Sequence, residues 1–467
     1  MNTHVTIWWL RQDLRLQDNS ALAWAAERGK VVPVYIVDEA SSRAPGGASA
    51  WWLEQSLTDL RKQVPVVVKV GPVETVLREL IEETDANAVV WNRCYEPWAV
   101  HRDTDLKALL KDEVGIDVES FNAGLLHEPW EVKTLSGTEF KVYTPFWKAC
   151  LQKEVKPPCP VGKVTWVKDL KSDDVRFYPV KGEPDWAHGW DAEWTPGEAG
   201  AQAALQGFIK DGLADYAEGR DLPARDFTSK LGAHLHFGEI GPRQIWAEIK
   251  KHTGKNADKF LAEIGWREFC HHLLYHYPTM MDRNWKQDFD NYPWRDLNGD
   301  ARKDFDAWTK GQTGYPIVDA GMRQLWQTGW MHNRVRMITA SFLIKHLRID
   351  WREGETWFWD TLVDADAANN ACGWQWVAGS GADASPYFRI FNPMMQGAKF
   401  DPKGEYVTRW CPELKGLPAE YVHAPWEASS GTLQDAGIEL GKTYPKPIVD
   451  HAKARAAALA GYAKVKE

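Results

Sequence analysis

At 467 residues the chain is long for one hydrophobic core, so two domains are the natural expectation. Its 44% hydrophobic and 26% charged residues are those of a folded globular protein, and a formal charge of −9 excludes global basicity as the basis of nucleic-acid binding, leaving only a local basic patch. Six scattered cysteines (Cys94, Cys150, Cys159, Cys270, Cys372, Cys411) without a CxxC pair argue against a zinc site or a disulfide framework and for a reducing compartment.

Neither a secretory leader nor an uninterrupted apolar run of membrane-spanning length is visible, so the expectation is a cytoplasmic protein without membrane contact. Short β-branched or apolar runs at 5–10, 31–37, 66–70, 88–91 and 118–121 alternate with helix-like segments at 21–28, 50–61, 73–83 and 98–111. That alternation predicts a five-stranded parallel sheet covered on both faces, an α/β Rossmann-like domain over residues 1–130. Ligands in such sheets bind beyond the strand C-termini, here 11–19, 38–49 and 92–98. No GxGxxG or Walker pattern follows the first strand, so a standard dinucleotide or P-loop site is not expected. Between about 125 and 195 prolines crowd and long apolar repeats vanish, which reads as a surface-wrapping connector, taken as 131–196. From 197 to 467 helical patterns dominate, at 201–210, 242–251, 258–275, 315–328, 333–348 and 452–464, predicting an all-α C-terminal domain.

The 27 tryptophans against 16 phenylalanines are the compositional outlier. Indole is bulky and wants an N–H partner when buried, so stacking on planar ligands or bases, or electron transfer, explains the excess better than packing. Four features of the helical region carry possible chemistry. Asp215, Tyr216 and Arg220 precede Phe227, Thr228, Ser229, Lys230, Leu231 and Gly232, a cluster that suits either an anion cradle or a plain N-cap. Glu263, Trp266 and Arg267 share a helix face, which suits a nucleobase and its phosphate or simply an ion pair beside a core ring. Asn333, Arg334, Arg336 and Met337 crowd one turn, with Asp364 as the natural partner of a buried arginine, and Trp351 follows. Last, Asp364, Ala365 and Asp366 lead through small residues and Asn370 to Trp374 and Trp376, two rings about 200° apart on a helix.

The runs 313–337 and 364–393, with Trp266, Arg267, Glu268 and Phe269, resemble the FAD-binding domain of the photolyase/cryptochrome family. The likeness covers nearly the whole chain, beginning with 8–19. The runs 47–53 and 125–133 point to bacterial class III-like or class I-like cyclobutane-dimer photolyases. The resemblance implies that Tyr216, Thr228, Ser229, Lys230, Leu231 and Gly232 hold the FAD phosphates, with Phe260 lining the pocket. It places Asp364, Ala365 and Asp366 at the flavin and ribityl side, Arg336 as the salt-bridge partner, and Asn370 at flavin N5, able to donate or accept. It assigns Arg220, Glu263, Trp266, Arg267, Asn333, Arg334, Met337 and Trp376 to UV-damaged DNA. In this assignment the two tryptophans flank a flipped cyclobutane pyrimidine dimer, Glu263 bonds its polar edge and the arginines clamp phosphates.

The implied activity is light-driven electron transfer from reduced FAD to the dimer, with Trp374, Trp351 and Trp294 re-reducing the flavin. The span from Trp294 to Trp308 looks a few residues longer than usual, leaving room for a different terminal donor. Histidines stand at the Asn333 and Met337 positions in (6-4) photolyases, so cyclobutane dimers are the expected substrate. An antenna chromophore is expected in the N-terminal domain, methenyltetrahydrofolate first and an 8-hydroxy-deazaflavin second. Trp98, Ala99 and the 277–281 run depart from known folate contacts, and no antenna residues are assigned. The chain is expected to act as a monomer. The alternatives are a cryptochrome-type blue-light photoreceptor and a non-catalytic nucleic-acid-binding flavoprotein.

Overall fold

A computed structural model of the chain describes residues 4–38, 43–179 and 185–465. The expected alternation forms: strands β1 (Val5–Leu10), β2 (Lys30–Val37), β3 (Val67–Val70), β4 (Ala88–Asn92) and β5 (Asp117–Phe121) make a parallel sheet in the order β3-β2-β1-β4-β5. Helices α1 (Ser20–Arg28), α2 (Gly47–Leu60), α3 (Val73–Thr84) and α4 (Pro97–Leu109) are the crossovers. The valine- and isoleucine-rich strands are buried because a parallel sheet is covered on both faces, and Trp9 meets Trp91 edge-on across neighbouring strands at 5.5 Å.

One finding differs from expectation. The proline-rich segment is not only a surface strap, since it contains helix α5 (Tyr143–Leu151) and a two-residue strand β6 (Thr165–Trp166). That strand pairs with Lys30 and Val31 at the start of β2, where β3 has not yet begun. Residues 39–42 of the expected 38–49 ligand segment lie outside the described residues, and polar contacts cross the described loops 11–19 and 92–98. Arg11 reaches Asp103 and the Asn92 carbonyl, Gln12 donates to Glu96 at 2.6 Å, and Asn92 donates to Asp13 at 2.6 Å. The fully buried Arg15 donates to the carbonyls of Asp18, Ala123 and Gly238, each at 2.8 Å, while Arg243 pairs with Asp18 at 2.8 Å. Arg15 and Asp18 thus find partners in the helical domain, so loop 11–19 forms part of the domain seam.

The helical region holds α6 (Glu198–Asp211), α7 (Tyr216–Gly219), α8 (Gly232–His236), α9 (Pro242–Ile249) and α10 (Lys255–His276). It continues through α11 (Gly299–Thr309), α12 (Pro316–Thr328), α13 (Asn333–Ser341), α14 (Trp351–Thr361) and α15 (Ala367–Ala378). Four further helices follow: α16 (Pro393–Phe400), α17 (Glu405–Trp410), α18 (Ser430–Asp435) and α19 (His451–Val465). Helix α15 is the central element, packed by α10, α13 and α14. Its start is set by Asp366, whose carboxylate accepts the Asn369 N–H at 2.8 Å, and its end by Gly379 in the left-handed region. Among the described residues no helix is long and apolar enough to cross a membrane.

Candidate active site

Because α10, α13 and α14 converge on α15, their inward side chains enclose a cavity of about 460 Å³. Its walls bring together Arg220, Glu263, Trp266, Asn333, Arg334, Arg336, Met337, Asp364, Ala365, Asn370, Trp374 and Trp376. One wall carries acid and base: Arg336 donates to Asp364 Oδ2 at 2.8 Å and to the Met331 carbonyl at 2.7 Å, leaving the buried Asp364 Oδ1 without a protein partner. A Cβ on Gly232 would lie 2.7 Å from Asp364 Oδ2, so glycine is what lets the 228–232 loop close on this acid. No side chain caps α8, which leaves the hydroxyls of Thr228 and Ser229 for other donors rather than for a plain N-cap; Ser229 accepts only weakly, from the Leu231 N–H at 3.4 Å. Lys230 pairs with Asp226 at 3.2 Å beside this loop.

Asn370 donates through Nδ2 to Glu355 Oε1 at 2.9 Å and to the Glu355 carbonyl at 3.1 Å. Both partners are acceptors, so the amide nitrogen must be the end that points to them, and Oδ1 is left for the cavity. Trp374 is buried against Phe358 and Trp308, with ring centroids 4.9 and 6.3 Å away. Trp376, two residues on, is half-buried.

The opposite wall belongs to α10. Glu263 pairs with Arg220 and, one turn away, with Lys259 at 3.2 Å. Trp266 stacks on Tyr143 of α5 at 3.7 Å and 9°, which covers one indole face and leaves the other for the cavity. Tyr143 is itself fixed by donating to the Ala262 carbonyl at 2.6 Å. Arg334 bonds Asp221 at 2.9 Å and lies 4.5 Å over the Phe400 ring. The cavity thus carries paired acids and bases at one rim and aromatic rings along its sides.

Several expected residues lie outside it. Arg267 turns to the Gly124 carbonyl at 2.6 Å, at the exit of the sheet domain, and does not line the cavity. Asp366 is engaged as the α15 cap and by His236 and His271, both 3.5 Å away. Burial opposes its charge, yet the two histidines hold its carboxyl well below the usual range. Tyr216 and Phe260 pack ring to ring at 5.2 Å in the core under the cavity, and Leu231 is buried. Trp351 is fully buried, donating to Asn284 Oδ1 at 2.9 Å, and Trp294 lies 4.2 Å from Tyr292. The ring contacts of Trp374 run to Phe358 and Trp308 instead. Sequence reasoning missed Tyr143, Lys259 and Glu355; Tyr143, Phe146 and Trp147 at i, i+3 and i+4 were the available signal for α5.

Residues 6–163 match the family model of DNA photolyase, and residues 260–464 match that of the FAD binding domain of DNA photolyase. A deoxyribodipyrimidine photo-lyase of Agrobacterium fabrum is 52% identical, over 100% of this chain and 99% of the relative. The chain belongs to the DNA photolyase family. Cryptochrome-2 of Arabidopsis thaliana is 39% identical over 96% of the chain and 77% of its own length. Among solved structures, a bacterial class III photolyase from Agrobacterium tumefaciens superimposes with a TM-score of 0.93 at 51% identity, covering 100% of this chain and 98% of that one. FAD is therefore the cofactor of the helical domain, and the cavity suits it. An orphaned buried carboxylate oxygen, an uncapped loop against it, and an amide oxygen turned inward are complementary to a flavin with hydroxyl, N–H and phosphate groups.

Proposed function

We propose that this chain is a light-dependent deoxyribodipyrimidine photo-lyase that splits cyclobutane pyrimidine dimers in UV-damaged DNA. The observation that carries the reading is the shared cavity, in which Arg336, Asp364, Asn370 and Trp374 stand opposite Glu263, Trp266, Met337 and Trp376. When bound and fully reduced, FAD supplies an electron to the dimer on excitation by blue light and recovers it after ring opening.

The residues do the rest. Asp364 and Arg336 anchor the flavin side, and Asn370 offers its amide oxygen at N5. The loop from Thr228 to Gly232 takes the phosphates, with Tyr216 and Phe260 supporting it from the core. Trp266, held rigid by Tyr143, and Trp376 stack on the flipped pyrimidines and exclude water. Glu263 bonds the polar edge of the dimer, and Arg220, Arg334 and Lys259 neutralise nearby phosphates, a contact blind to sequence. Trp374 is the first donor when the flavin must be re-reduced, with Trp351 and Trp294 as further members of the supply. Methenyltetrahydrofolate, or failing it an 8-hydroxy-deazaflavin, serves as antenna in the sheet domain, and the protein works as a cytoplasmic monomer.

The 52% identity to a photo-lyase against 39% to a cryptochrome favours repair over signalling, and the class III structure favours the class III-like alternative over the class I-like one. Replacing Glu263 by Ala tests the substrate side. The expected result is a repair yield per absorbed photon cut several-fold with FAD content unchanged; an unchanged yield would remove Glu263 from the reaction.

A further inference from the structure

Helix α14 meets the sheet domain along a short seam. Trp359 Nε1 donates to the Ala44 carbonyl at 2.9 Å, and Asp360 accepts the Gly47 N–H at 2.8 Å. Within this seam Arg43 of the sheet domain donates to Glu355 through both terminal nitrogens, at 2.8 Å to Oε1 and 2.9 Å to Oε2. Its guanidinium also lies 4.0 Å over the Trp359 ring, so the fork is held in plane. Glu355 is only 5% exposed. The same carboxylate, with its own carbonyl, consumes both amide protons of Asn370. A chain of directed bonds thus runs from the sheet domain, through Arg43 and Glu355, to the amide in the cavity wall.

We propose that Arg43 is a positioning residue for the flavin site, gripping Glu355 across the domain seam so that Asn370 presents its acceptor oxygen, not its NH2 group, to N5 of bound FAD. The inference rests on the reading that FAD fills this cavity. Its physical content is one of matching. Reduced flavin carries a proton on N5 and needs an acceptor there; oxidised flavin has a bare nitrogen and needs a donor. An amide held with oxygen inward therefore favours the reduced cofactor. Without Arg43 the carboxylate of Glu355 loses its counter-charge in a dry site, which is costly, and as it relaxes the amide is released to flip end for end. A lysine would replace the charge but bond only at a point, without the planar fork.

The test uses full-length holoprotein and compares wild type with Arg43→Ala, Arg43→Lys and Asp360→Ala. The last loosens the same seam without touching Glu355. The readouts are FAD per chain, the midpoint potential of the bound flavin, and its rate of reoxidation in air after reduction. Arg43→Ala is expected to shift the midpoint to a more negative value and to speed reoxidation several-fold. Arg43→Lys is expected to lie between it and wild type, and Asp360→Ala to match wild type. A potential and reoxidation rate in the arginine variants equal to wild type overturn the proposal, as does an equal shift in Asp360→Ala, which would make the effect one of seam stability. If Arg43→Ala does not fold, the lysine variant alone decides. Wild-type protein purified without FAD would instead refute the flavin reading on which the inference stands.

Discussion

Trp374 has no protein partner for its buried indole N–H, and its ring packs against Phe358 and Trp308 while its edge reaches the cavity. Phenylalanine there would keep much of the packing and lose the easily oxidised indole. Trp374→Phe is expected to abolish light-driven reduction of the oxidised flavin, followed by loss of its visible absorption, while chemically reduced protein still repairs dimers at close to the wild-type yield. Equal photoreduction in the variant would show that electrons enter by another route. At this scale the shared face read from spacing holds for Glu263 and Trp266, which both line the cavity, while Arg267 does not line it. All three fall on one helical face by spacing, yet Trp266 and Arg267 are about 100° apart, enough for one to meet the cavity and the next the sheet domain. Which surface lies beyond each was not a local property, and Arg267 turned to the Gly124 carbonyl. The acceptor orientation of Asn370 was equally out of reach, because it depends on Glu355, fifteen residues away in the chain and one helix away in space.

At the scale of elements, α14 and α15 approach closely enough that a Cβ on Gly354 would lie 2.1 Å from the Trp374 ring. Gly354→Ala must push that indole or the helix aside, a cost of about 1–3 kcal/mol by the measure of overpacked cores. The expected outcome is a lower Tm together with a changed flavin spectrum, checked by thermal unfolding and absorbance; an unchanged Tm would mean the two helices have slack. A second prediction concerns the π-helical turn Phe342–His346 that follows α13. Lys345 in this turn is 1% exposed and donates to the Arg389 carbonyl at 3.0 Å. Burial, aided by the charge of Arg389, pushes its ammonium down to about 7 from its usual value near 10.5.

The depressed pKa sets the sign. Between about pH 7 and 10 the unfolded chain holds a proton on Lys345 that the folded chain has released, so stability rises with pH and is lost as pH falls toward 7. Lys345→Met should therefore stabilise the protein at pH 7, by about 4 kcal/mol at most, and the gain should shrink toward pH 10. Unfolding in denaturant at the two pH values checks it, and a gain independent of pH would assign the effect to packing alone. The strands and most helices were legible because their periodicity is local. Helix α5 was not, because prolines at 145, 157, 158 and 160 masked an aromatic pattern whose purpose, bracing Trp266, appears only in three dimensions.

For the whole molecule, the two domains are joined by buried polar contacts as well as by an apolar cluster in which Trp51, Trp52 and Leu53 of the sheet domain pack with Ala233, Phe237 and Val363 of the helical domain. Arg15, Asp18 and Arg243 lock the seam on one side, and Arg43, Glu355 and Asp360 on another. Loop 11–19, which topology alone makes a ligand-binding edge, belongs to this seam, with Arg15 donating to the Gly238 carbonyl and Asp18 pairing with Arg243. The net charge of −9 is silent on a similar grouping, since Arg220, Lys259, Arg334 and Arg336 reach one cavity together with Glu263, Asp364 and Asp383. Grouping of that kind depends on helix packing and cannot be read from composition.

The central claim is repair driven by light, and the most direct measurement is the absorbance near 260 nm of an oligonucleotide carrying one thymine cyclobutane dimer, mixed with the reduced holoprotein. The account predicts recovery of the thymine absorbance under blue light and none in the dark. Tight binding of the damaged strand by protein with fully reduced FAD, without recovery in the light, would contradict it.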